Sequence, residues 1–134
     1  MAKRKPRRNS DRLLLQSFAE SVTWCEAADY LTGCGRRLEI HHVLGGAHRI
    51  DALWNLVRLC GNCHDWVTRR TMPGRIMCWY ILDSRGAFEP DTIRQAFGQC
   101  PLARIERALS EIQEDWIRSM GEELLRKHSR EDQS

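Results

Sequence analysis

Apolar positions recur along this chain with two different periods, and the periods divide it into elements. Leu14, Phe18 and Val22 fall four residues apart, which predicts a short helix whose N-cap is Ser10. "CEAADYLTGCG", closing on Gly33 and Gly35, suits a loop or knuckle. "RRLEIHHV" then alternates, with Leu38 and Ile40 on one face of a predicted strand. "LGGAHRIDALW" predicts a loop anchored by Ile50 and Leu53, "NLVRLC" a second short strand, and "CHDWVTRR" the start of a helix. Strand, loop, strand and helix in that order make a small ββα unit.

Past "MPG" the pattern changes. "RIMCWYILD" is apolar almost throughout, so periodicity does not separate strand from helix there. "FEPDTIRQAFG" predicts a short helix with Pro90 in its first turn and Gly98 closing it. From Pro101 a single long helix is expected, because Leu102, Ile105, Leu109, Ile112, Trp116, Met120 and Leu124 follow at spacings of three or four. That stripe is most simply a core face, with a protein partner on the C-terminal helix as the alternative. No internal repeat is present. The expectation is an α+β fold: a basic flexible arm (1–9), a core with its N-terminal helix (10–75), a helical extension (76–128) and a frayed tail (129–134).

Bulk composition narrows the class. A chain of 134 residues suits one domain with appendages, and 42% hydrophobic with 29% charged residues is ordinary for a soluble protein. No apolar run approaches the ~20 residues of a membrane helix. Basic residues before Leu13-Leu14-Leu15 imitate a secretion signal, but Gln16, Ser17 and Glu20 break the run and no cleavage site follows. A cytoplasmic protein with no membrane partner is expected.

The net charge of +3 is unevenly placed. Lys3, Arg4, Lys5, Arg7, Arg8 and Arg12 face a single acid, Asp11, in the first twelve residues. Residues 33–75 hold seven arginines against Glu39, Asp51 and Asp65, whereas the chain beyond the arm is slightly acidic as a whole. The arm alone could be a solvated tail. Positive charge on the segment that also carries the histidines favours a polyanion as partner.

Six cysteines are present, and four are arranged as metal ligands. Cys60 and Cys63 form a C-x-x-C, with Cys25 and Cys34 upstream of the histidine pair. Without a secretion signal, this layout reads as a structural zinc site, since four soft thiolates suit tetrahedral zinc. Such a zinc would pin the loop before the first strand to the start of the helix. Cys78 and Cys100 read as small buried residues.

His48 and His128 read as structural. His41, His42 and His64 differ, because they recur with Asn55 in "LEIHHVLGG … LWNLVRLCGNCHDW", with twelve residues between His42 and Asn55 and eight between Asn55 and His64. Over residues 24–70 this resembles the HNH endonuclease family, a ββα-metal nuclease fold, and in particular its small standalone members from phages and bacteria. The resemblance implies metal-dependent hydrolysis, nicking or cleaving DNA. By position in the motif, His41 and His64 would bind a catalytic divalent metal such as Mg or Mn, and His42 would be the general base. Asn55 would orient that base or assist at the metal. Zinc-containing members usually carry an upstream C-x-x-C, whereas eight residues separate Cys25 from Cys34 here.

These roles agree with what the chemistry needs. Phosphodiester hydrolysis requires a nucleophile, neutralised phosphoryl oxygens and help for the leaving oxygen, and one divalent metal serves the last two. Two neutral imidazoles leave open coordination positions, and a free imidazole with a pKa near ~6.5 takes a proton from water at neutral pH. Neighbouring strand residues point to opposite faces, so a site shared by His41 and His42 needs the chain to bend, which Gly45 and Gly46 permit. The arm residues Lys3, Arg4, Lys5, Arg7 and Arg8, with Arg36, Arg37, Arg49, Arg69 and Arg70, are candidates for DNA-backbone contacts, or for surface ion pairs. A non-catalytic zinc-knuckle nucleic-acid-binding module is the rival reading. It explains the cysteines and the charge but not the histidines with Asn55.

Overall fold

A computed structural model describes residues 11–45, 49–97 and 101–133, apart from the side chains of 96, 97, 101 and 129–133. Two strands, β1 (Leu38–His42) and β2 (Leu56–Cys60), pair antiparallel with Leu38 opposite Cys60 and His42 opposite Leu56. A 3-10 turn, Leu53–Asn55, leads into β2, and α2 (Gly61–Arg69) follows it directly. With α1 (Arg12–Ser21) before the hairpin and further helices after it, the described residues form an α+β fold with one two-stranded sheet.

Each face of the hairpin meets a different layer. Phe18 and Val22 close the N-terminal helix onto Leu56 and Ile40, as the four-residue spacing predicts. The helix is capped by Asp11, whose carboxylate accepts from the Leu14 N–H at 3.1 Å; the expected cap, Ser10, lies outside the described residues. Val57 and Leu59 point the other way, into the main core with Val67 of α2.

The ambiguous "RIMCWYILD" belongs to α3 (Thr71–Ser84). Its Ile76, Met77, Cys78 and Leu82 are fully buried, and a helix enclosed on most sides shows no amphipathic period. α4 (Pro90–Phe97) matches its prediction; Gly98 and Cys100 lie outside the described residues.

The expected single helix from Pro101 is two: α5 (Pro101–Leu109) and α6 (Asp115–Gln133), folded back on one another. The apolar stripe itself carries the break. Ile112 is followed in the core by Ile117, five residues on, while Trp116 is 38% exposed. Ile105, Leu109, Ile112, Met120 and Leu124 are buried within the chain, so this stripe is a core face. The backbone of residues 129–133, expected as part of a frayed tail, continues α6 to Gln133. Its last turns are anchored on α3: Lys127 pairs with Asp83 at 2.9 Å, and His128 lies against Phe88 and 3.1 Å from Asp83. Such contacts are invisible to local pattern. Among the described residues no helix is long and apolar enough to cross a membrane.

One buried pair sets the height of the hairpin. Arg85 donates from Nη1 to both carboxylate oxygens of Glu26 at 2.6 Å and from Nη2 to the carbonyls of Leu53 and Leu56 at 3.2 and 2.8 Å. A guanidinium that satisfies a carboxylate and two carbonyls together fixes the turn before β2 against the segment after Cys25. Neither residue belongs to a motif, and no sequence signal marks them.

Candidate metal centre and histidine site

The four motif cysteines converge. One ligand atom from each of Cys25, Cys34, Cys60 and Cys63 lies within 4.8 Å of every other. Tetrahedral zinc with bonds of ~2.3 Å needs sulfurs roughly 3.8 Å apart. The Sγ atoms of Cys34 and Cys63 are 3.7 Å apart. The cluster fits zinc.

Local backbone geometry explains why Cys25 takes part despite its long spacing from Cys34. The Glu26 N–H donates to the Arg58 carbonyl at 2.8 Å, and the Arg58 N–H donates back to the Glu26 carboxylate at 2.8 Å. Cys25 is thereby tied beside β2, two residues short of Cys60. The residues between the two upstream cysteines fold into a turn with Ala27 wholly buried. On the other side, Gly35 approaches so closely that a Cβ there would sit 2.8 Å from Asn62 Nδ2.

The N–H groups of Gly35 and Cys63 donate to Cys60 Sγ at 3.3 and 3.4 Å. Burial opposes ionisation of Cys60, yet these two donors outweigh it and bring its pKa down to about 6. Burial and the neighbouring thiols push Cys63 up instead. Those two N–H donors favour the thiolate form of Cys60 in which it ligates a metal.

β1 stays regular through His42, so side-chain alternation holds and the bend permitted by the glycines does not come before the pair. His41 faces α2, where its ring meets that of His64 edge-on at a centroid distance of 4.9 Å. Burial first, then the charges of His64, His42 and Arg75, hold the His41 pKa at about 4. A neutral imidazole at neutral pH is the form that ligates a metal. His64 Nδ1 donates to the Glu39 carboxylate at 2.5 Å, leaving Nε2 as its ligating atom. Glu39 stands two residues before His41 on the same strand face. That i, i+2 spacing is the signal that could have found it.

His42 points to the other face. Its Nε2 lies 2.6 Å from Asp51 Oδ1, with side-chain exposures of 12% and 8%. The second Asp51 oxygen accepts the Asp11 N–H at 2.8 Å. Burial works against the Asp51 charge, but the bonds from His42 and Asp11 prevail and its pKa lies below the ordinary carboxylate value. An ionised Asp51 requires a proton on Nε2 of His42, so in the neutral ring Nδ1 is the acceptor. Asp51 was legible in the sequence only as a charge.

Asn55 is fully buried. Its side-chain oxygen accepts from the Leu44 N–H at 2.8 Å, and its Nδ2 donates to the carbonyls of Leu44 and Ile50, each at 3.0 Å. The amide is thus spent on the loop between the strands, the loop that carries Asp51.

The proposed backbone-contacting arginines separate. Arg36, at the left-handed φ of 69°, donates to Asn62 at 2.8 Å and pairs with Asp65 at 2.6 Å, bracing the knuckle. Arg70 stacks over Trp66 at 4.9 Å and lines a cleft of about 380 Å³ with Tyr30 and Trp116. Arg37, Arg49 and Arg69 are exposed and make no ion pair among the described residues. Lys3, Arg4, Lys5, Arg7 and Arg8, like His48 and Gly46, lie outside the described residues.

No protein-family model matches the chain, and no curated protein or solved structure matches it.

Proposed function

We propose that this protein is a metal-dependent endonuclease of the HNH type that hydrolyses phosphodiester bonds in DNA. The observation that carries the reading is the division of labour around β1: a neutral His41 against His64 on one face, and His42 held by a buried carboxylate on the other. Two histidines with open positions suit a metal; a histidine with one nitrogen fixed by Asp51 suits a base. His41 and His64 would hold a divalent metal such as Mg or Mn, which when bound polarises the phosphoryl oxygens and stabilises the leaving oxygen.

The chain's own residues do the rest. Asp51 keeps His42 in the tautomer with Nδ1 free, and that nitrogen takes the proton from the attacking water. Glu39 orients His64 toward the metal. Asn55 holds the loop from which Asp51 reaches His42. His42 is the last residue of β1, and its charge bears on the neighbouring His41. The phosphate binds across that end.

The cysteine cluster holds a structural zinc in this reading, fixing α2 and hence His64 against the knuckle. A binding module without catalysis would need the same zinc, but it leaves the His42–Asp51 and His64–Glu39 pairs without a purpose. Plasmid DNA incubated with the purified protein and Mg or Mn tests the choice. Nicking that disappears in His42→Ala, with zinc content and fold unchanged, is expected. A wild-type protein that binds DNA but never nicks it with either metal would leave the binding module standing.

A further inference from the structure

Five arginines among the described residues are half-buried, and three of them are satisfied. Arg58 donates to the Val22 carbonyl, Arg85 to Glu26 and two carbonyls, and Arg118 to the Ile112 carbonyl. Arg75 and Arg104 are the other two. Neither has a hydrogen bond or ion pair among the described residues. A guanidinium drawn out of water without an acceptor is costly, because it carries five donors and a charge that cannot be shed.

These two arginines lie near each other. Arg75 precedes Ile76 on α3 and Arg104 precedes Ile105 on α5. The two isoleucines meet over Gly121 of α6, with methyls 3.5 and 3.4 Å from where a Cβ on that glycine would sit. Burial, and then the charge of Arg104, draw the Arg75 pKa below its ordinary value. Like charges placed together and half out of water are the mark of a site that receives an anion.

Arg75 also lies within electrostatic reach of the histidines. Gly74 brings α3 against α2 so tightly that a Cβ there would stand 2.5 Å from the Val67 carbonyl oxygen. Val67 is one helical turn beyond His64, and the charge of Arg75 reaches His41.

We propose that Arg75 and Arg104 form a phosphate-binding pair, with Arg75 toward His41, that takes a phosphate of the DNA backbone. The site rests on the nuclease reading for the source of its phosphate, and on the two unpaired guanidiniums for its chemistry. A phosphate seated there lies on the α3–α5 side of the metal ligands and keeps the duplex in place while the neighbouring bond is cut. Arginine suits this task because its planar fork grips two oxygens at once.

The test uses the full chain, as purified with its zinc, and the variants R75Q, R104Q and R75Q/R104Q. Inorganic phosphate should raise the wild-type melting temperature more than sodium chloride of equal ionic strength. The double variant should lose that difference, and in phosphate-free buffer should melt no lower than wild type, since a repulsion has been removed. Duplex DNA provides the second arm, with binding measured over a range of salt. Removing one arginine–phosphate interaction lowers the slope of log K against log salt by ~0.9. A change with DNA but not with inorganic phosphate still places the interaction on the backbone. A loss of the inorganic phosphate effect with unchanged DNA binding would overturn the backbone assignment in favour of a free phosphate ligand. Equal responses of wild type and double variant to both probes would overturn the site altogether. Cleavage by wild type is scored separately, so an inactive protein that still loses phosphate binding in R75Q/R104Q counts against the nuclease reading and not against the pair.

Discussion

His42 Nε2 and Asp51 Oδ1 are 2.6 Å apart, and Asp51 spends its second oxygen on the Asp11 N–H at the start of α1. The carboxylate therefore links the candidate base to the N-terminal helix as well as fixing its tautomer. Removing the imidazole and removing only its orienting charge should have different effects. His42→Ala should lower cleavage ~10²–10⁴-fold, the typical contribution of a general base. Asp51→Asn should lower cleavage by less while leaving metal binding intact. Equal cleavage by His42→Ala and wild type, under matched metal and pH, would remove His42 from the mechanism.

Asp51 also makes a pH prediction with a definite sign. Its pKa is depressed in the folded state, so it binds protons less readily there than when unfolded. The stability it contributes is complete above the ordinary aspartate value of about 3.9 and is lost as pH falls from there through the lower folded value. Unfolding free energies of wild type and Asp51→Asn, measured between about pH 5 and pH 2, should converge on acidification. A constant gap across that range would show that the charge of Asp51 does not stabilise the fold.

The cysteine cluster and the histidine pair should separate by mutation. Cys25→Ser and Cys60→Ser should both lower zinc content and melting temperature, because a structural zinc contributes directly to folding free energy. His64→Ala should keep the zinc and lose cleavage. Elemental analysis is decisive for Cys25, whose spacing from Cys34 is atypical: undiminished zinc in Cys25→Ser would leave a three-cysteine site.

Glu39→Gln keeps the shape of the side chain that holds His64 Nδ1 and removes its charge. Partners of this kind typically contribute 10–100-fold to metal affinity. Titration of Mn into the zinc-loaded variant should show a loss within that range, with little change in melting temperature because the contact is exposed. An unchanged Mn affinity would mean that Glu39 does not tune the site.

Asn55→Ala should act through the fold. It strands the Leu44 N–H and the Leu44 and Ile50 carbonyls, and leaving such groups unsatisfied costs ~1–3 kcal/mol. Asn55→Asp keeps an acceptor for the Leu44 N–H but turns a carboxylate oxygen on the two carbonyls, so it should not restore stability. A chemical denaturation series on the three proteins reads it out. Rescue by aspartate would instead point to a role at a metal.

Deleting residues 2–8 removes five basic side chains and none of the candidate chemistry. If they bind phosphates, DNA affinity should weaken and its salt dependence flatten by ~0.9 for each phosphate released, on unrelated sequences alike. Coincident salt slopes for full-length and truncated protein would make the arm a solvated tail.

Spacing and residue type alone determined the hairpin, the helix behind it and the identity of the metal-binding candidates. Alternation and four-residue periods are local, and thiols and imidazoles have few other uses in such clusters. The Cys25–Cys34 separation shows where that reasoning thins, because the turn around Ala27 that closes the gap depends on hydrogen bonds to Arg58. Tertiary structure alone decided the rest. A helix buried on most sides, such as α3, loses its period, and α5 and α6 together kept enough of one to imitate a single helix until Ile117 displaced Trp116 from the core. Asp51 and Glu39 carry charges like any surface acid, and only the folded strand places one behind His42 and the other behind His64. Arg75 and Arg104 are far apart in sequence, and three helices packing around Gly121 bring their charges within reach of one another. Contacts between distant segments depend on how faces pack, and packing is not written in the period of any one segment.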